Sequence, residues 1–417
     1  MLAGPTMSST RRRIAVLGAG IMGSSTALFL ARRGAAVTLF DAASQPFSAA
    51  SRWNEGKIHL GFLYNADPSL RTARWLLPGG LLFKPLTEEL IGCALQPAMT
   101  ADDDIYLCHA SSVVPPQAMH DYFLQVADLL RQHPDASRYL VSVADAQVTR
   151  LTTSELAAIT TSADIVAGFR VPERSVSTTW VADRFVDALA AEPRIEPCMA
   201  THISAVRPQA PGDTPTSWYV ESSRGVHGPY DGVVNALWQG RLAIDITAGL
   251  QPTGIWSHRF RRSLFVRTTQ PVDLPSLMIA TGPFGDIKNY NGRDFYLSWY
   301  PAGLMAESTA VLPDALPAPE AADRQQRSLA VLHKLGGFLP ALSLLTEHVE
   351  HMTLEGGWVY AAGQGALSDP GSSLHRRNEF GIVRVGSYIS VDTGKYSTAP
   401  WLARKVADSV MLNADSA

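Results

Sequence analysis

The first apolar run of the chain, Ile14-Ala15-Val16-Leu17, is short and unbroken, as a parallel strand covered on both faces requires. It leads into Gly18-Ala19-Gly20-Ile21-Met22-Gly23. Apolar Leu28, Leu30 and Ala31 then recur among small residues and Gly34 supplies a stop, which predicts a helix over 21–33. A second strand, Ala36-Val37-Thr38-Leu39-Phe40, ends on Asp41. Further strands are predicted around 105–107, 230–236, 263–267, 277–280, 295–300 and 381–386, with turn signals at Gly282-Pro283 and Asn291-Gly292. Helical spacing marks 117–131, 181–191, 401–412 and one or two helices within 319–346. The Pro-containing stretch 207–216 reads as a surface loop or hairpin and 312–319 as a linker, and no fixed-period repeat is visible.

Composition narrows the class. The 417 residues are 46% hydrophobic and 18% charged, enough for two or three domains with a sizeable core. A formal charge of -3 implies no nucleic-acid partner, and no apolar run reaches the roughly 18 residues of a membrane-spanning helix. Three cysteines, Cys93, Cys108 and Cys198, are too few and scattered for a disulfide framework or a zinc cluster, and no metal site is expected. Arg11-Arg12-Arg13 before an apolar run resembles an export signal, but glycines interrupt it at once. A cytoplasmic protein with a loose leader over 1–10, starting effectively at Met7, is the expectation.

The glycine turn carries the first chemical signal. Gly18 permits the tight strand-to-helix turn, Gly20 lets the backbone approach a pyrophosphate, and Gly23 lets the helix pack on the strand. Amides at Ile21 and Met22 open the helix towards the phosphates. Asp41, 18 residues after Gly23, can accept from ribose hydroxyls and disfavours a 2′-phosphate, but does not separate NAD from FAD.

The segment 48–64, containing Ser51-Arg52-Trp53-Asn54-Glu55-Gly56-Lys57-Ile58-His59-Leu60-Gly61, resembles the loop that runs along the flavin in the D-amino-acid-oxidase-like superfamily of FAD enzymes. Ile58-His59-x-Gly61 is similar to its 2-hydroxy-acid branch, exemplified by L-2-hydroxyglutarate dehydrogenase. Gly168-Phe169-Arg170-Val171-Pro172-Glu173 resembles the entry to the family's middle segment. Residues 230–236 resemble the strand leading to Asn-Ala-Ala-Gly, where this chain instead has Asn235-Ala236-Leu237-Trp238. The stretch 387–400, with Gly394-Lys395-Tyr396-Ser397, is similar to the ending before the family's closing helix.

The resemblance implies an α/β fold. A discontinuous Rossmann-like FAD-binding domain (11–90, 168–250 and 350–413) would support a mostly antiparallel-sheet substrate domain (91–167 and 251–349). It implies FAD as cofactor, held by Gly18, Gly20, Ile21, Met22, Gly23, Asp41, Ser51, Arg52, Gly56, Lys57, Gly394, Lys395, Tyr396 and Ser397. The implied activity is removal of a hydride from a C–N or C–O(H) carbon of a small polar metabolite. Oxygen, a quinone or an electron-transfer protein would be the final acceptor.

Within that frame His59 could take a hydroxyl proton, Tyr296 or Tyr300 could line the pocket, and Lys395 with the closing helix could stabilise negative charge near flavin N1. Lys288 is a candidate beside N5 and Arg293 for a substrate carboxylate. Arg259-Arg261-Arg262 and Arg376-Arg377 could bind an acidic substrate, although short basic runs are usually solvated faces, as lone lysines such as Lys57 are. Competing readings are an NAD(P)H-using flavin monooxygenase, an NAD-linked dehydrogenase and a non-enzymatic flavin-binding protein.

Overall fold

Arg13–Leu17 sits at the centre of a parallel sheet because both its faces are apolar and covered: Ile14 to Leu17 are at most 1% exposed. The computed structural model describes residues 11–209 and 217–412; the expected leader and most of the 207–216 stretch lie outside them. Strands run in the order Gly381–Val385, Tyr388–Asp392, Gly232–Asn235, Arg13–Leu17, Ala36–Phe40, Ile195–Cys198. All neighbours are parallel except the antiparallel edge strand Gly381–Val385. The loops after Leu17 and after Asp392 therefore leave the same carboxyl edge of one sheet, with a single strand between them. Helix Ile21–Arg32 packs beside the closing helix Ala399–Leu412, so both helices begin at that edge.

A nine-stranded sheet forms the second layer. Its path runs Leu304–Ser308, Ser257–Thr268, Asp294–Trp299, Gly285–Asn289, Leu277–Ala280, Asp104–His109, Ile165–Val171 and Thr149–Arg150. Val349–Ala361 pairs along the whole of Ser257–Thr268. Every pairing is antiparallel except Leu277–Ala280 with Asp104–His109. The α/β architecture thus has the anticipated two layers. The borders expected at 167/168 and 349/350 cut across strands of this sheet, because Ile165–Val171 and Val349–Ala361 are drawn into its ladders. A small antiparallel meander, Ile203–Pro208, Trp218–Ser222 and Gly225–Tyr230, leads into Gly232–Asn235.

One long helix, Arg71–Ile91, carries two internal prolines, Pro78 and Pro85, and the pair Gly79-Gly80. The glycines are there for contact. A Cβ on Gly79 would stand 2.7 Å from the Thr398 methyl, and one on Gly80 would stand 2.3 Å from the His59 carbonyl oxygen. The helix thereby presses backbone to backbone on the loop after the second strand and on the turn before the closing helix.

Gly23 is equally constrained, since a Cβ there would lie 1.7 Å from the Gly18 carbonyl oxygen. Gly23→Ala is expected to destabilise the protein by roughly 1–3 kcal/mol through overpacking, read as a lowered urea midpoint.

Candidate active site

Two turns meet at the carboxyl edge. In the first, Gly18 adopts φ +96° and Gly20 lies so close to Ser51 that a Cβ would stand 2.7 Å from its hydroxyl. Ser51 Oγ accepts from the Ile21 amide at 3.0 Å, and Asp41 accepts from the Ala19 and Ala43 amides at 2.7 and 2.8 Å. Asp41 therefore shapes the turn, while remaining partly exposed at its rim. In the second, Gly394 (φ +65°) and Lys395 lead through a short 3-10 turn, Tyr396–Thr398, into the closing helix. The hydroxyls of Tyr396 and Ser397 are buried and lack a hydrogen-bond partner.

The turn after Gly232–Asn235 closes on Gly18, whose Cβ would stand 2.7 Å from the Ala236 carbonyl oxygen. Trp238 stands where the resemblance led to an expected glycine, and its backbone is left-handed, φ +55°. That conformation costs a non-glycine residue about 1–2 kcal/mol, and the Trp238 indole offsets it by donating to the Trp358 carbonyl at 2.7 Å.

Beneath the nine-stranded sheet lies a buried ionic knot. Lys57 Nζ donates to Asp104 (2.5 Å), Glu173 (3.2 Å) and the Tyr106 hydroxyl (3.1 Å); Lys288 donates to the same Asp104 oxygen at 2.7 Å. The other Glu173 oxygen accepts the Leu60 amide at 2.6 Å. Burial alone would neutralise Asp104, but Lys288 and Lys57 hold its carboxyl below the ordinary value, and the acids in turn hold Lys57 cationic. Lys57 and Lys288 are therefore engaged with Asp104 rather than solvated. His59 is also buried, with Nδ1 unpartnered; burial and then the charges of Lys395, Lys57, Lys288 and Arg377 hold its pKa well below the usual value, so it is neutral.

Between loop, sheet and ending is a cavity of about 170 Å³ whose charged lining is Glu55, Asp286, Arg259, Arg261, Arg377 and Lys395, with Tyr296 and Tyr300 beside them. Arg259 and Arg261, two apart on one strand, share a face, whereas Arg262 on the opposite face reaches Glu355. Arg259 donates to the Tyr300 hydroxyl at 2.9 Å, and the Arg261 guanidinium stacks 4.5 Å from the Tyr300 ring centroid. Burial favours a neutral Glu55, but Lys395, Arg261 and Lys57 hold its carboxyl below the ordinary value. Asp286 is raised by burial and by Glu55, although Ser298 donates to it.

The family of FAD dependent oxidoreductases matches residues 13–362. The chain belongs to that family. A search of the curated proteins finds no match. Among solved structures, glycine oxidase from Geobacillus kaustophilus is 15% identical with a TM-score of 0.65, covering 96% of this chain and 95% of its own. NikD, an amino acid oxidase essential for nikkomycin biosynthesis, is 13% identical (TM-score 0.67, 96% and 95%). L-alpha-glycerophosphate oxidase from Mycoplasma pneumoniae, solved with FAD bound, is 14% identical (TM-score 0.61, 96% and 95%). These likenesses establish the shared fold.

As an FAD-dependent oxidoreductase, the protein has residues that suit the cofactor. The Gly20 cradle and the amino end of Ile21–Arg32 suit a pyrophosphate, and the unpartnered Tyr396 and Ser397 hydroxyls await polar contacts at the opposite turn. Of the sequence candidates, Gly18, Gly20, Ile21, Met22, Gly23, Asp41 and Ser51 gather at the first turn, and Gly394 to Ser397 form the second. Gly56 (φ +63°) packs on the Val176 carbonyl. Tyr296 and Lys395 line the cavity; His59 and Lys57 lie outside its lining. Arg52 is paired with Asp183, and Arg293 with Glu350, both away from the cavity. Glu55 and Asp286 were not singled out by sequence; Arg259, Arg261 and Arg377 were named as able to bind an acidic substrate, but as basic runs, and strand alternation was the signal that Arg259 and Arg261 share a face. Among the described residues no group of side chains could hold a metal ion, and no helix is long and apolar enough to cross a membrane.

Lys57→Met removes one partner from a buried ion pair and is expected to cost about 3–5 kcal/mol, whereas Arg52→Gln at the rim should cost less than about 1 kcal/mol, both read by urea unfolding. His59 gives a pH signature. Its folded pKa is depressed, so below about pH 6.5 the unfolded chain takes up a proton that the folded protein refuses, and stability falls on acidification. His59→Gln should flatten that fall by up to about 1.4 kcal/mol per pH unit between pH 6.5 and 5.

Proposed function

We propose that the protein oxidises a C–N bond in a small amine that carries a carboxylate, an amino acid in the broad sense. The observation that carries this reading is the bipolar lining of one cavity: the acids Glu55 and Asp286 suit an ammonium, and Arg261 with Lys395 suits a carboxylate. The neighbouring glycine oxidase and NikD, an amino acid oxidase, support the same choice. A 2-hydroxy acid would instead need a base at its hydroxyl. His59, the candidate for that task, is neutral but lies outside the cavity lining.

Bound FAD supplies the acceptor for the hydride that leaves the substrate carbon. The chain's own residues do the rest. Arg261 and Lys395 hold the carboxylate, and Tyr296 and Tyr300 wall the cavity. Glu55, held ionised by Lys395 and Arg261, takes the proton that the ammonium must shed before the nitrogen lone pair can form a C=N bond. Water then converts the imine to a carbonyl compound and ammonia, or a smaller amine. The electron acceptor is oxygen, a quinone or an electron-transfer protein, and oxygen uptake in air distinguishes the first.

Mixing the holoprotein anaerobically with panels of amino acids, simple amines and 2-hydroxy acids tests the proposal by flavin bleaching. Amino acids are expected to bleach it, and Glu55→Gln should slow that bleaching by about 100-fold. Bleaching by 2-hydroxy acids alone would replace amine oxidation with alcohol oxidation, bleaching by NADPH alone would indicate a monooxygenase, and no bleaching by any of them would favour a binding protein.

A further inference from the structure

The cavity carries more positive charge than one carboxylate needs. Its lining holds four cations, Arg259, Arg261, Arg377 and Lys395, against two acids, Glu55 and Asp286. A zwitterionic amino acid adds no net charge, so this lining keeps two more positive than negative charges, with Asp392 near Arg377 but outside it. They are not shared evenly. Glu55 is influenced by Lys395 and Arg261, which places acid and base together at that end. Arg259 is only 4% exposed and forms no salt bridge among the described residues; its Nε has no acceptor. Its strongest charged neighbour is another cation, Arg377, brought in by the loop before Gly381–Val385, and an Nη of Arg377 is likewise buried without an acceptor. His375, also in the lining, is held neutral by burial and compensates nothing.

Buried guanidiniums ordinarily have partners, because an isolated charge in a protein interior is costly. Buried Arg259 and half-buried Arg377, each with a buried N–H that lacks an acceptor and both lining the cavity, form a ready fork for an anion. We infer that the substrate carries a second anionic group, a carboxylate, seated between Arg259 and Arg377, so that the substrate class is the amino dicarboxylates. This rests on the reading of the cavity as the substrate site, but its test does not require turnover.

The holoprotein is titrated with amine-free acids that cannot be oxidised, comparing malonate, succinate and glutarate with propionate, butyrate and pentanoate, and binding is read from perturbation of the flavin spectrum. At least one dicarboxylate is expected to bind about tenfold or more tightly than the monocarboxylate of equal length. Arg377→Gln should reduce that preference to below about threefold, while Arg376→Gln, an exposed neighbour outside the cavity, retains it. A preference below about threefold for every dicarboxylate in the wild type overturns the inference, as does a preference that survives Arg377→Gln. A parallel anaerobic assay compares aspartate, glutamate and iminodiacetate with their amides. If dicarboxylates bind selectively but no amine bleaches the flavin, the anion site stands and the amine-oxidation proposal falls.

Discussion

The ion cluster around Asp104 is the constraint on which the site depends. Lys57 belongs to the loop after the second parallel strand, Asp104 and Lys288 to two strands of the upper sheet, and Glu173 to the segment between the layers. Charges this deep tolerate little displacement, because each would lose partners that water cannot replace. The loop is therefore fixed relative to the sheet above it. Glu55 and His59, two residues either side of Lys57, inherit positions that a loop held only by apolar packing would not have. Burial does most to keep His59 uncharged, with Lys395 and then Lys57 and Lys288 adding to it, and Lys57 helps to keep Glu55 ionised, so the knot contributes to charge as well as position.

What the sequence disclosed depended on how local each feature was. The glycine turn, the two strands and Asp41 follow one another within 30 residues, and spacing alone locates them. The helix Arg71–Ile91 was hidden because prolines and paired glycines argue against helix, and only the approach of Thr398 and the His59 carbonyl explains the glycines. Lys57 reads as a solvated lysine, since its partners lie 47 and 116 residues away. The arginines were obscured by averaging: Arg259, Arg261 and Arg262 form one basic run in the sequence but divide between two faces of a strand.

At Trp238 a non-glycine residue holds a left-handed backbone. A glycine reaches a left-handed backbone without steric cost; a tryptophan does so only if its side chain is held elsewhere, here by the Trp358 carbonyl. Because Trp358 belongs to the strand that pairs with Arg259 and Arg261, this substitution also links the cofactor-side turn to the strand that supplies the cavity's cations.

The order of strands in the parallel sheet has a consequence for synthesis. Gly232–Asn235 is flanked by Arg13–Leu17, made first, and by Tyr388–Asp392, made almost last. The second neighbour of Val233 and Val234 is therefore made more than 150 residues after them, and an edge left unpaired that long is of the kind that can template contact between chains. The strand that covers that edge is followed directly by Gly394 to Ser397, so the sheet's last inner pairing and the second turn of the cradle arrive together.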